Sequence, residues 1–134
     1  MPVIERLTSA QLASESFLAL LREAVEVPRD ALLVIRDDEL AVLEVAGVVD
    51  DDVVAFAAWN AESNPQVLEY IAVDSAHRGL GLGSALIARI RASGPLLAET
   101  DDDAVDFYRR LGFTVTPIER DERWPDRQRY RCLI

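Results

Sequence analysis

The run His77-Arg78-Gly79-Leu80-Gly81-Leu82-Gly83-Ser84 carries three alternating glycines and could hold an anion on its backbone. Consecutive amide N–H groups followed by a helix start make a natural anion site. A diphosphate is the guest that such a loop suits. Glycine matters there because a ligand must come close to the backbone and the chain can need positive φ. A nucleotide-hydrolysing loop would require Gly-Lys-Ser/Thr, and the protein contains 14 Arg and not one Lys. A dinucleotide fingerprint would require G-x-G-x-x-G on the first strand of a βαβ unit, whereas Gly79, Gly81 and Gly83 alternate.

The elements that must position this loop can be read on both sides of it. Val67 to Val73 is apolar and extended and runs directly into the loop. Beyond it, Ala85, Leu86, Ile87 and Ile90 mark the buried face of a helix that stops at Gly94-Pro95. A buried strand, Leu96 to Glu99, follows. Asp102 or Asp103 is predicted to cap a helix carrying Val105, Phe107, Tyr108 and Leu111 and closed by Gly112. Phe113 to Ile118 and Arg129 to Ile134 read as two strands around an Arg-rich connection.

Upstream, Val3 to Leu7 reads as a short strand. Thr8 or Ser9 then caps a helix with apolar positions Leu12, Phe17, Leu20, Leu21 and Ala24, ending near Val25. Pro28 to Arg36 fits either a short helix or a strand. Leu40 to Val49 and Val53 to Trp59 read as strands joined by the turn Asp50-Asp51-Asp52. The order predicts one mixed α/β (α+β) domain over residues 1–134, without internal repeat or linker.

Composition narrows the function classes. The 134 residues are 50% hydrophobic and 28% charged, as in one folded domain with its own core. No apolar run reaches the ~20 residues of a membrane span, and Met1-Pro2-Val3-Ile4-Glu5-Arg6 lacks the order of a secretory signal. The expected compartment is the cytoplasm. Cys132 is the only cysteine, so neither an internal disulfide nor a zinc site is expected. The net charge of −10 disfavours nucleic acid, whose phosphates need a positive field. Residues 1–77 hold 4 Arg and 15 acids, a balance of −11, while residues 78–134 hold 10 Arg and 9 acids, a balance of +1. The two halves are therefore expected to face different ligands.

Two segments carry a resemblance. Tyr70-Ile71-Ala72-Val73 followed by Arg78-Gly79-Leu80-Gly81-Leu82-Gly83 resembles the V-x(n)-Q/R-x-x-G-x-G/A signature of the GNAT superfamily of N-acetyltransferases. Asp101 to Ala104, then Phe107-Tyr108-Arg109-Arg110-Leu111-Gly112-Phe113, is similar to that family's N-x-x-A-x-x-φ-Y-x-x-x-G-F segment. The resemblance covers about Tyr70 to Phe113. It implies a mixed, mostly antiparallel sheet flanked by helices, with its central strands splayed.

It also implies a site for acetyl-coenzyme A between the strand ending at Val73 and the strand Leu96 to Thr100. Backbone groups near Ile71 and Val73, with Ala72 between them, would pair with the pantetheine arm. The Val73 N–H would polarise the acetyl carbonyl, a donor worth roughly 3 kcal/mol in such a role. Arg78, Gly79, Leu80, Gly81, Leu82, Gly83 and Ser84 would supply amides to the diphosphate, and Ala104 and Phe107 would complete the wall. Tyr108 would give a proton to the departing thiolate. Asp101 stands where the family usually has Asn, which removes an amide donor toward the pantetheine or ribose region.

An attacking amine must lose a proton, which a carboxylate can accept. Glu69 is the leading candidate and Glu99 the runner-up. Strand alternation puts Glu69 on the face of Ile71 and Val73 in an unbulged strand, and a bulge would reverse that. His77 is expected to be a surface or capping residue, too far from the acetyl end to act. The acidic first half favours a cationic amine acceptor by long-range attraction. Arg120, Arg123, Arg127, Arg129 and Arg131 are expected to pair with nearby acids. The leading reading is an acetyl-coenzyme-A-dependent N-acetyltransferase working by direct attack. The alternatives are an inactive coenzyme-binding sensor and an interaction module, such as a homodimer through Arg129 to Ile134.

Overall fold

Seven strands form one sheet in the computed structural model, which describes residues 2–134; Met1, the start of the segment read for a secretory signal, lies outside them. The chain runs β1 (Glu5–Arg6), α1 (Ser9–Leu12), α2 (Glu15–Ala24), α3 (Arg29–Val34), β2 (Glu44–Asp50), β3 (Asp52–Asn60) and β4 (Gln66–Val73). It continues with α4 (Leu82–Arg91), β5 (Leu96–Asp101), α5 (Val105–Arg110), β6 (Thr114–Ile118) and β7 (Arg129–Leu133). The strand order is β1-β2-β3-β4-β5-β7-β6. All neighbours are antiparallel except β4 and β5, the pair that α4 connects as a crossover.

Each face of the sheet is covered by its own core. Leu82, Leu86, Ile87 and Ile90 of α4 pack with Ala55, Ala57, Leu68 and Ala98 on one face. Phe17, Leu20 and Leu21 of α2 pack with Val45, Phe56 and Ala58 on the other. Val54 to Ala58 of β3 are accordingly buried whichever face they point to, the pattern of a strand covered on both sides. Alanine at Ala55, Ala57 and Ala58 lets the helices come close, and Phe56 fills the remaining space edge-on to Phe17 at 4.8 Å.

Several local expectations are corrected. The helix predicted from Thr8 to Val25 is two helices. Thr8 caps α1 through a reciprocal box with Gln11, and the Ser14 hydroxyl accepts from Phe17 N to start α2. Pro28 to Arg36 resolves as helix, and the coil continues with a wider turn over Ile35–Glu39 and a tighter one over Leu40–Val42. The strand predicted from Leu40 therefore begins at Glu44. Neither Asp102 nor Asp103 caps α5, whose first flanking residue is Ala104. The Asp101 carboxylate instead accepts from Asp103 N at 3.0 Å. The turn at Asp50-Asp51-Asp52 holds, with Asp51 at φ 62°, a conformation that Asp tolerates.

Candidate functional site

The parallel pair β4 and β5 stays joined only at its start. Gln66 pairs with Leu96 and Val67 with Leu97, and no pairing continues toward Val73 and Asp101. The apex is pinned by buried Gln66, whose Nε2 donates to Ile90 O at 3.0 Å and to Gly94 O at 3.3 Å. Its backbone N–H donates to Pro95 O at 2.9 Å. Beyond the apex the two strands diverge.

The divergence leaves one edge of β4 without a partner strand. In an antiparallel ladder the backbone groups of alternate residues point to opposite sides. Asp74 N donates to Val54 O at 2.8 Å, so in the register Phe56/Ala72 and Ala58/Tyr70 the groups of Ala72 and Tyr70 face β3. Those of Ile71 and Val73 consequently face the gap. Arg78 Nε reaches the Val73 carbonyl at 3.3 Å.

A cleft of about 820 Å³ opens from this gap, within the range of small-molecule sites. Of the residues expected to bind a coenzyme, it is lined by Ile71, Ala72, Val73, Arg78, Gly79, Gly81, Leu82, Gly83, Ser84, Ala104, Phe107 and Tyr108. Leu80 and Asp101 do not line it. Leu80 is 64% exposed, and the Asp101 carboxylate is held by Arg127 at 3.1 Å. Glu23, His77, Asp103, Arg110 and Leu111 line it as well. Arg110 and Leu111 could have been found from Phe107, since residues three and four apart share a helix face. Glu23 left no local signal, because it arrives from α2.

The three loop glycines do different jobs. Gly79 and Gly81 have φ of 79° and 77°, with open space where a Cβ would stand, so they serve the backbone path and leave room beside it. Gly81 is the residue flanking the start of α4, whose first residues line the cleft, and the free amides of a helix start suit an anion. Gly83 is helical, and a Cβ there would lie 3.0 Å from Phe107 Cε1. Its role is helix packing.

Tyr108 lies under this wall, with its ring edge-on to Phe107 at 5.1 Å and to Phe113 at 5.2 Å. Burial, and secondarily Cys132, raise its pKa well above that of a free phenol, so it remains an O–H donor at any physiological pH. No buried side-chain oxygen or nitrogen among the described residues lacks a partner. His77 is half-buried, with Nδ1 2.9 Å from Asp74 Oδ2.

The position of Glu69 is a correction. The β3/β4 register jumps from Ala58/Tyr70 to Trp59/Leu68, so Glu69 is the extra residue of a bulge. Leu68 consequently packs with Ile71 and Val73 in one core, while Tyr70 and Ala72 pack in the other. Alternation from Leu68 puts Glu69 on the face of Tyr70, not on that of Ile71 and Val73. Partial burial, and then the charges of Glu39 and Glu99, raise its pKa. Tyr70 donates to Glu39 at 3.0 Å and is itself pushed up to about 12, chiefly by burial. Glu99 is paired with Arg131 at 3.2 Å. In the Arg-rich connection, Arg127 bridges Asp101 and Asp103, and Arg123 pairs with Asp121 while lying over Trp124.

The family model described as an acetyltransferase (GNAT) domain matches residues 28–115, well over half of the chain. A comparison with curated proteins finds no match. Among solved structures, a putative acetyltransferase of the GNAT family from Desulfovibrio desulfuricans is similar over 100% of this chain and 98% of its own, at 22% identity and TM-score 0.75. An aminoglycoside 6′-N-acetyltransferase complexed with coenzyme A is similar over 98% of this chain and 96% of its own, at 14% identity and TM-score 0.78. The ribosomal-protein-S18-alanine N-acetyltransferase from Escherichia coli is similar over 100% of this chain and 93% of its own, at 19% identity and TM-score 0.71. These three likenesses are likenesses of fold. With the splayed β4/β5 pair, the glycine loop and the matched domain taken together, the chain belongs to the GNAT acetyltransferase family.

Proposed function

We propose that this acetyltransferase moves the acetyl group of acetyl-coenzyme A to a primary amine by direct attack. The observation that carries the reading is the unpartnered edge of β4, where Ile71 and Val73 turn their backbone groups toward a gap bordered by Tyr108 and the glycine loop. A pantetheine arm has the amides to pair with such an edge as an added strand. The first amides of α4 suit the diphosphate, and open space at Gly79 and Gly81 leaves room for it.

In the transfer, the amine nitrogen bonds to the acetyl carbon and the carbon–sulfur bond breaks. The Val73 N–H stabilises charge that develops on the acetyl oxygen. Tyr108 gives its phenolic proton to the leaving sulfur. Glu69 takes the proton of the amine, directly or through water. Its raised pKa makes it a stronger base than an ordinary carboxylate. Glu99 is less available because Arg131 already holds it. Glu39, Glu69 and Glu99 lie close enough for their charges to interact, and their sign favours a cationic amine. The single cysteine is buried and suits the reducing cytoplasm.

The test is calorimetric titration with acetyl-coenzyme A and coenzyme A, then thiol release against a panel of amines on the same sample. Binding with amine-dependent thiol release is expected. Binding without release from any amine would favour a coenzyme sensor, and absence of binding would overturn the reading.

A further inference from the structure

The gap beside β4 has a second free edge, on β5. Val67/Leu97 is the last pairing between the two strands. On its other side β5 is fully engaged: Leu96 and Ile134 exchange both backbone hydrogen bonds, at 2.8 and 3.0 Å. The β5/β7 register continues unbroken through Ala98/Cys132 and Thr100/Tyr130, so the backbone groups of these residues face β7. Those of Glu99 and Asp101 face the gap. The Asp101 carbonyl accepts from Ala104 N at 3.2 Å. The Glu99 N–H and C=O and the Asp101 N–H have no backbone partner among the described residues.

This edge is separate from the coenzyme cleft, which no residue of β5 lines. It joins free backbone to negative charge. Leu96 and Ala98 pack in the core that α4 covers, so alternation puts the Glu99 side chain on the opposite face, the face of Glu69 and Tyr70. There Tyr70 holds the Glu39 carboxylate at 3.0 Å. Such carboxylates attract a cation, and a free strand edge pairs with an extended backbone. The amino end of a peptide brings both, an ammonium and the amide next to it. A polyamine brings only the first.

We propose that the acceptor is the amino end of a peptide chain, laid as a short added strand along Glu99 and Asp101 of β5. The proposal rests on the coenzyme reading above, in which the pantetheine arm takes the edge of β4 and leaves that of β5 free. Transfer to the terminal ammonium forms the carbon–nitrogen bond, breaks the carbon–sulfur bond, and yields an N-acetyl peptide, the thiol and one proton.

Trialanine amide, with one positive charge and no carboxylate, is the probe. ¹⁵N-labelled protein is saturated with coenzyme A and then titrated with the peptide, and the amides of Glu99 and Asp101 are expected to shift in the second titration. In turnover with acetyl-coenzyme A, kcat/KM for the peptide should exceed that for propylamine, of equal charge, and for spermidine, of higher charge. Methylating the backbone nitrogen of the second or the third alanine, whichever faces β5, should lower kcat/KM about five- to ten-fold through KM, as one lost hydrogen bond would give. Methylating the other should cost little. Glu99→Gln keeps the backbone and should keep that contrast between the two methylated peptides. Faster turnover of spermidine than of the peptide, equal sensitivity to both methylations, or a contrast lost in Glu99→Gln would overturn the proposal and leave the coenzyme reading standing. So would Glu99 and Asp101 amides that the peptide does not move. If coenzyme A does not bind, both readings fall together.

Discussion

Gly83 and Phe107 are in direct contact: a Cβ at Gly83 would stand 3.0 Å from Cε1 and 3.2 Å from Cζ of the ring. The contact fixes α5, which carries Tyr108, against the first turn of α4, which follows the anion loop. The two halves of the proposed chemistry are therefore held in register by one glycine and one phenyl ring.

Gly83→Ala is expected to push the ring and α5 away from α4, weakening coenzyme binding and slowing transfer together. Phe107→Leu should relieve the clash. In a double-mutant cycle on unfolding free energy the two substitutions should couple by roughly 0.5–3 kcal/mol. Strictly additive effects would show that the contact is not what requires glycine there. Gly81→Ala should be costly for a different reason, since φ of 77° disfavours any Cβ by about 1–2 kcal/mol, and Phe107→Leu should not rescue it.

Tyr108→Phe keeps the edge-on packing with Phe107 and Phe113 and removes only the hydroxyl. Thermal stability should change little, whereas kcat should fall by about a hundred-fold or more. Unchanged turnover across pH would remove the proton-donor role and leave Tyr108 as packing.

Glu69 links activity and stability with opposite signs. Its raised pKa means that the folded chain holds the proton more readily than the unfolded one. Stability from this group is thus present below its unfolded pKa and declines as pH rises through the window up to the folded value. Glu69→Gln should be slightly more stable than wild type at neutral pH, with the difference vanishing in acid. Its kcat should fall on the order of a hundred-fold and lose the rise with pH that the carboxylate gives. Denaturation curves and pH–rate profiles on the same preparations check both signs.

The bulge at Glu69 marks where the sequence stopped being legible. Alternating residue types do not reveal an extra residue in a strand, so the face of Glu69 depended on the partner register of β3. The splay of β4 and β5 is likewise a property of pairing that no spacing within either strand encodes. The glycine loop and the helix after β5 were readable because turns and helices are local, whereas the roles of Ala104, Phe107 and Tyr108 came only with the family resemblance. Ser14 escaped notice as a cap because apolar residues recur on both sides of it.

Gln66 should govern the apex of the gap. Gln66→Met removes the donor to Ile90 O and Gly94 O and leaves buried carbonyls without it, at a cost of about 1–3 kcal/mol. Chemical denaturation should register that loss. An unaltered midpoint would indicate that water replaces the amide and that the side chain does not pin the strands.

If the clustered carboxylates Glu39, Glu69 and Glu99 guide acceptor choice, kcat/KM for cationic amines should exceed that for acidic amino acids at low salt. The advantage should shrink as ionic strength rises and the Debye length falls below ~10 Å. Kinetics across a salt series with matched amines measures this directly.

The central claim is that the unpartnered edge of β4 receives the coenzyme. Titrating ¹⁵N-labelled protein with coenzyme A while following amide resonances tests it most directly. The amides of Ile71, Val73, Gly79, Gly81 and Gly83 should shift together and saturate with one affinity. Saturable shifts confined to another face of the sheet, with Ile71 and Val73 unmoved, would contradict the account.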